Sequence, residues 1–177
     1  VTLTASDTLP QLTGERLTLR VPAPQDRSLY ASFYAVSETT VGGYRGNRSD
    51  AEISAIHTRD MAHWDKHGFG IFLIHDTADG TFYGGTGIAY PTGWQQDELT
   101  WWLMPAARGK GVATRASRTV ITWAYDTLGW SRVQTYMRDE NAPARALAQR
   151  LGGRITHRDT FPDGVTRDVF VLPRTVA

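Results

Sequence analysis

Hydrophobic and polar residues alternate over 15–21, with Leu17, Leu19 and Val21 on one side and Arg16, Thr18 and Arg20 on the other. A period of two is the mark of a half-buried strand. Pro22 and Pro24 end it, and Gln25-Asp26 open a helix that runs to Val36. Gly42, Gly43 and Gly46 make 39–49 a loop, closed by the S-x-x-E capping box of Ser49 and Glu52. Ile53, Ile56, Met61 and Trp64 then keep helical spacing until Gly68 stops the helix. Three strands follow over 69–75, 82–90 and 98–103, the first two joined by the hairpin signal Asp79-Gly80. After Pro105 comes a glycine-containing turn and a long helix. Its apolar positions Ala113, Ala116, Val120, Ile121, Ala124 and Leu128 recur every three or four residues. A strand over 133–137, a helix over 142–151 and a hairpin of 155–160 with 165–172 complete the chain. The order β-α-α-β-β-β-α-β-α-β-β predicts an α+β domain, with a mixed, mostly antiparallel twisted sheet flanked by helices.

Composition narrows the classes. The chain has 177 residues, 41% hydrophobic and 21% charged, which suits one globular domain with a core. No repeat or linker divides it, so 12–177 reads as one domain preceded by a polar arm, 1–11. Lys+Arg is 19 against 18 for Asp+Glu, which gives no electrostatic case for nucleic acid. Without cysteine there is no disulfide, thiolate metal site or Cys nucleophile. The five histidines, His57, His63, His67, His75 and His157, form no metal-ligand pattern, and no metal is expected. No apolar run approaches a membrane span, and the first ten residues lack the layout of a signal peptide. A cytoplasmic protein is the expectation.

The chemistry concentrates in 98–114, Glu98-Leu-Thr-Trp-Trp-Leu-Met-Pro-Ala-Ala-Arg108-Gly-Lys-Gly111-Val-Ala113-Thr114. A strand runs through a turn into a helix. The first turn of a helix has unpaired N–H groups and partial positive charge. Gly109 and Gly111 let an anion approach the backbone, and Arg108 and Lys110 add cations. This is the physics of a phosphate cradle. The G-x-x-x-x-G-K-[ST] pattern fails, because Met104 stands where its first glycine belongs and Gly111 follows Lys110. The G-x-G-x-x-G pattern fails at Thr114.

Arg108-x-x-Gly111-x-Ala113 resembles the R/Q-x-x-G-x-G/A motif of the GNAT superfamily of acyl-CoA N-acyltransferases. Its E-x-x-W-W-L-x-P lead-in resembles the branch that includes enzymes acetylating the N-termini of ribosomal proteins. Glu15–Arg20, Phe82–Ile88 and the stretch from Asp139 to Gly152 resemble further segments of that branch, in the same order. The resemblance covers nearly the whole domain. It implies an N-acetyltransferase fold and activity, with acetyl-CoA as cofactor and an amine acceptor of unread identity, a small molecule or a protein N-terminus or lysine. Homodimers are common in the family. By resemblance, the backbone of Arg108, Gly109, Lys110, Gly111, Val112, Ala113 and Thr114 holds the pyrophosphate of coenzyme A. The ends of the strands over 98–103 and 133–137 splay apart to leave a slot for the pantetheine arm, with backbone groups of Leu103 and Met104 on one side and Asn141, Ala144 and Arg145 on the other. Glu98 occupies the position of a base, which burial beside Trp94, Trp101 and Trp102 would tune. The acid is Tyr136 or water, because Ala144 and Ala148 stand where relatives carry a Ser or a Tyr.

Each of these residues has a plainer reading. Glu98 also reads as an exposed strand-end carboxylate or a salt-bridge partner, and Asn141 as a helix N-cap. Arg115 and Arg118 suit either the 3′-phosphate or a solvated helix face. Tyr44, Trp64 and Trp94 are the acceptor-pocket candidates, although tryptophans at such spacing are more often core. A non-catalytic acyl-CoA-binding module and a general nucleotide-phosphate binder are the competing functions.

Overall fold

The computed structural model describes residues 9–40 and 43–175. The arm 1–11 falls mostly outside them. Its last residue, Gln11, opens a strand that the hydrophobic pattern does not announce.

Five strands form an antiparallel meander in the order β1-β2-β3-β4-β5. They are β1 (Gln11–Gly14), β2 (Leu17–Arg20), β3 (Ile71–Asp76), β4 (Phe82–Ala89) and β5 (Glu98–Leu103). Glu15 and Arg16 belong to no strand. They form the turn between β1 and β2, with φ of 49° and 68°. Alternation is blind to this, since the turn is imposed from a distance. Arg115 donates to the Glu15 carbonyl at 2.7 Å and Arg118 to its carboxylate at 3.1 Å. The same two bonds tie both arginines to this turn.

Helices α1 (Arg27–Val36) and α2 (Asp50–His67) are inserted between β2 and β3. The Ser49 hydroxyl accepts the Glu52 N–H, Glu52 returns the bond to Ser49, and Gly68 closes α2 with φ 71°. Helix α3 (Val112–Asp126) follows β5, and β6 (Val133–Tyr136), α4 (Ala142–Arg150), β7 (Arg154–Thr160) and β8 (Thr166–Leu172) complete the domain. The last three strands form a second antiparallel sheet, β6-β8-β7.

The mixed sheet expected from the crossover is therefore two antiparallel sheets. Among the described residues no ladder joins β5 to β6. Side chains of β6 reach the β5 region instead: Thr135 Oγ1 donates to the Leu99 carbonyl at 2.8 Å and Gln134 Nε2 to the Asp97 carbonyl at 3.3 Å.

The first sheet is buried on both faces, which explains the unbroken apolar run Ile71-Phe72-Leu73-Ile74. Phe72 and Ile74 join Leu17, Leu19, Ile88 and Leu99 against Ala116, Val120 and Ile121 of α3. Leu73 and Trp102 face Tyr30, Phe33 and Ile53 of α1 and α2. Gly85 is what admits Trp102, since a Cβ there would stand 2.5 Å from the indole. No helix among the described residues is long and apolar enough to cross a membrane.

Candidate active site

Two sites flank β5. The first is the turn into α3. A short 3-10 turn, Pro105–Ala107, leads to Gly109 at φ 73° and Gly111 at φ 70°. Gly111 is the N-cap of α3, and no side chain caps the helix. A Cβ at Gly109 would meet nothing within 4 Å, and one at Gly111 only Arg115 Nε at 4.0 Å. The first-turn N–H groups thus lack a side-chain cap at the positive end of a fifteen-residue helix. Arg108 is exposed and pairs with Glu38 at 3.4 Å, and Lys110 is exposed beside it. The turn over 108–114, where a cradle is expected, thus carries two left-handed glycines and two exposed basic side chains.

The residues expected beside the pantetheine arm are engaged within the protein. Met104 N–H donates to the Tyr83 carbonyl at 2.8 Å, and its carbonyl accepts from Ala107 N–H at 2.9 Å. Leu103 pairs with Gly84 in the sheet. Asn141 Oδ1 accepts the Ala144 N–H at 3.3 Å, so it caps α4. Arg145 is ion-paired with Asp168 at 3.1 Å and lies over the Phe170 ring. Ala144 is buried at the start of α4.

The second site is a cavity of about 570 Å³ between α2, the 43–44 loop and the ends of β4 and β5. Glu98, Thr100 and Trp102, alternate residues of β5, line it together with Tyr44, Arg59, Asp60 and Tyr90. The Tyr44 hydroxyl lies 2.8 Å from Thr100 Oγ1. Burial pushes the Glu98 carboxyl up to about 8, against the opposing pull of the Arg167 charge and the Tyr136 hydroxyl. Arg167 is itself buried, fixed by two bonds to Asp163 at 2.9 and 2.7 Å. Tyr136 is buried, its hydroxyl donates to the Gln96 carbonyl at 3.2 Å, and burial beside Glu98 raises its pKa further. Tyr136 therefore stands with the candidate base.

Two acceptor candidates do not reach this cavity. Trp64 is 3% exposed, donates Nε1–H to the Ile71 carbonyl at 2.9 Å, and packs edge-on against Phe72. It is core. Trp94 stacks on Tyr136 at 6.0 Å and 9°, lies under Arg167 and is absent from the cavity lining. Of the three indoles proposed as walls for Glu98, Trp102 shares its face of β5, and Trp101 points to the α3 side.

Sequence reasoning missed Asp60 and its neighbours. Asp60 is 5% exposed, accepting from the Tyr30 hydroxyl at 2.8 Å and from Arg59 at 2.9 Å. A signal for it exists: the buried positions of α2 are Ile53, His57, Asp60 and Trp64, so a carboxylate falls on the apolar stripe.

Comparison with known proteins gives the same direction. A family model described as an acetyltransferase (GNAT) domain matches residues 16–154. The chain is similar to the crystal structure of an acetyltransferase from Agrobacterium tumefaciens, at 26% identity and TM-score 0.81, over 98% of this chain and 99% of that one. It is similar at 20% identity and TM-score 0.76 to a Vibrio cholerae protein described as a ribosomal-protein-serine acetyltransferase, over 93% and 98%. Mycobacterium smegmatis RimJ, solved with CoA-disulfide, matches at 20% identity and TM-score 0.68, over 94% and 87%. The last two likenesses speak to the fold alone.

Proposed function

The chain belongs to the GNAT acetyltransferase family, and from that premise we propose that it transfers an acetyl group from acetyl-CoA to a primary amine by direct attack in a ternary complex. The observation that carries this reading is Glu98, a carboxylate pushed up to about 8 that lines the cavity and lies on the strand leading to the cradle.

The cradle fits the cofactor. Uncapped N–H groups of α3, two left-handed glycines and exposed Arg108 and Lys110 suit a diphosphate. Acetyl-CoA supplies the acetyl thioester. The chain's own work concerns the acceptor. An alkylammonium has no lone pair, and lysine-type amines ionise near about 10.4. Glu98 takes the proton, directly or through water, and its raised pKa makes it a stronger base than an ordinary carboxylate. Tyr136 and Arg167 stand beside Glu98 and favour its ionised form. Since the Tyr136 hydroxyl is engaged on the base side, solvent protonates the departing thiolate, whose pKa of about 8.5 makes it a fair leaving group.

The test pairs two measurements on the full chain. Calorimetry with CoA reads the cradle, and thiol release from acetyl-CoA with a panel of amines reads the transfer. CoA binding with amine-dependent release supports the reading. CoA binding with no release from any amine leaves an acyl-CoA-binding module. Absence of CoA binding overturns the assignment of the cradle.

A further inference from the structure

The cavity holds one cation whose orientation is fixed by a buried group. Asp60 is the only carboxylate of α2 that is buried, and both of its oxygens are occupied. Tyr30, 1% exposed, donates to Oδ2 at 2.8 Å. Arg59 donates to Oδ1 from Nε at 3.1 Å and from Nη2 at 2.9 Å. A guanidinium is a planar fork with three edges. Asp60 occupies the edge between Nε and Nη2. The edge between Nη1 and Nη2 presents two parallel N–H groups, and among the described residues Nη1 has no protein partner. The Arg59 side chain is 66% exposed, yet it lines the cavity.

The order of groups along the cavity follows β5, where Glu98, Thr100 and Trp102 line the wall in turn. The Tyr44 hydroxyl meets Thr100, and Tyr30, which donates to Asp60, packs on Trp102 with ring centroids 5.6 Å apart. Tyr44 and Thr100 therefore lie between the Glu98 end and the Arg59 end. Lys66, seven residues further along α2, lines the same cavity and is exposed. Tyr34, Tyr44 and Trp102 supply apolar surface between the ends.

Resting on the acetyl-transfer reading, we infer that the acceptor is an amphoteric amine: its amino group meets Glu98, an apolar body lies along the aromatic wall, and a carboxylate at the far end takes the free edge of Arg59. A planar carboxylate matches that edge with two charge-assisted hydrogen bonds. Asp60 and Tyr30 are positioning residues that hold the fork so that it loses little freedom on binding.

Matched amines test this with the full chain and acetyl-CoA. Benzylamine is compared with 4-(aminomethyl)benzoate, and hexylamine with 6-aminohexanoate, by thiol release. The carboxylate-bearing member of each pair is expected to have kcat/KM higher by about ten-fold or more, mainly through KM. Arg59→Gln should bring the two members of each pair to within about two-fold, and Arg59→Lys, which keeps the charge and loses the fork, should restore part of the ratio. Equal kcat/KM within the pairs for the unaltered chain overturns the inference whatever the variants do, and leaves acetyl transfer standing. A preference that survives Arg59→Gln overturns the role of Arg59. Release from none of the four amines, with CoA bound, counts against acetyl transfer and this inference together.

Discussion

His63 Nε2 lies 2.9 Å from the backbone nitrogen of Tyr90, while its Nδ1 lies 2.7 Å from the Phe69 carbonyl. Tyr90 N–H can only donate and the carbonyl can only accept. The ring is therefore neutral, with its proton on Nδ1. It ties α2 to the entry of β3 and the exit of β4, beside the cavity rim. Burial holds its pKa below the ordinary 6.5, the nearby His67 and Arg59 add to that, and the Phe69 bond and Asp60 oppose it. The sign follows from proton counting. Below about pH 6.5 the unfolded chain binds a proton that the folded chain refuses, so this stabilisation is complete above that pH and declines as pH falls. His63→Phe should lower stability at pH 7.5 by about 2 kcal/mol, for two lost hydrogen bonds. It should also lower it less at pH 5, so that the difference from the parent shrinks with acid. Thermal unfolding at several pH values checks this. A constant difference would remove His63 from the acid limb. His75, lowered by its own burial, retains part of that limb in both proteins.

Glu98 predicts the opposite slope and a rate profile. Its folded pKa is raised from 4.5 to about 8, mainly by burial. The native state thus holds a proton that the unfolded state loses, and stability falls as pH rises between those values. Glu98→Gln should flatten that fall. As a base the carboxylate works only when ionised, so kcat/KM should climb about ten-fold per pH unit up to pH 8 and then level. Glu98→Gln should lower turnover by about a hundred-fold or more while CoA affinity stays the same. Turnover unaffected from pH 6 to 9 would take the role from Glu98.

Gly111→Glu separates the cradle from the fold. The position has room for a Cβ, and its neighbour at 4.0 Å is the end of a flexible arginine. Steric exclusion is therefore slight, and a left-handed non-glycine residue costs about 1 kcal/mol. The variant should fold with a Tm a few degrees lower. CoA affinity should nevertheless fall below detection by calorimetry, because a carboxylate stands where the diphosphate charge approaches. Unchanged affinity in the folded variant would move the cofactor elsewhere.

What was legible in the chain depended on whether the cause was local. The capping box at Ser49, the stop at Gly68 and the bounds of β5 are written in adjacent residues, and they hold. The turn into α3 was legible because glycine spacing, a proline and a helix start coincide within a few residues. Strand β1 was not legible. It is four half-exposed residues, and the left-handed turn after it rests on Arg115 and Arg118, about a hundred positions away. The parting of β5 from β6 is likewise a tertiary fact: nothing in either strand says which neighbours will share a ladder, and the splay expected between them comes from the family resemblance alone. Glu98, the proposed base, could be singled out from its motif. The side on which each tryptophan falls could not, because residue type reports size and polarity and not direction.

Trp64 and Tyr44 turn that last point into a test. Both were acceptor candidates, and their surroundings now assign them different work. Trp64 is surrounded by Phe72 and Trp123 and hydrogen-bonded to Ile71, with no surface on the cavity. Trp64→Phe removes a buried hydrogen bond and part of a ring, a loss of about 2 kcal/mol. Its Tm should fall by several degrees, with KM for the amine within about two-fold of the parent. Tyr44 lines the cavity with its hydroxyl on Thr100, so Tyr44→Phe should leave Tm nearly unchanged and raise KM several-fold. Unfolding curves and amine titrations on the two variants decide it. The exchange of these two outcomes would mean that the acceptor approaches from the α3 side of the sheet, away from Glu98.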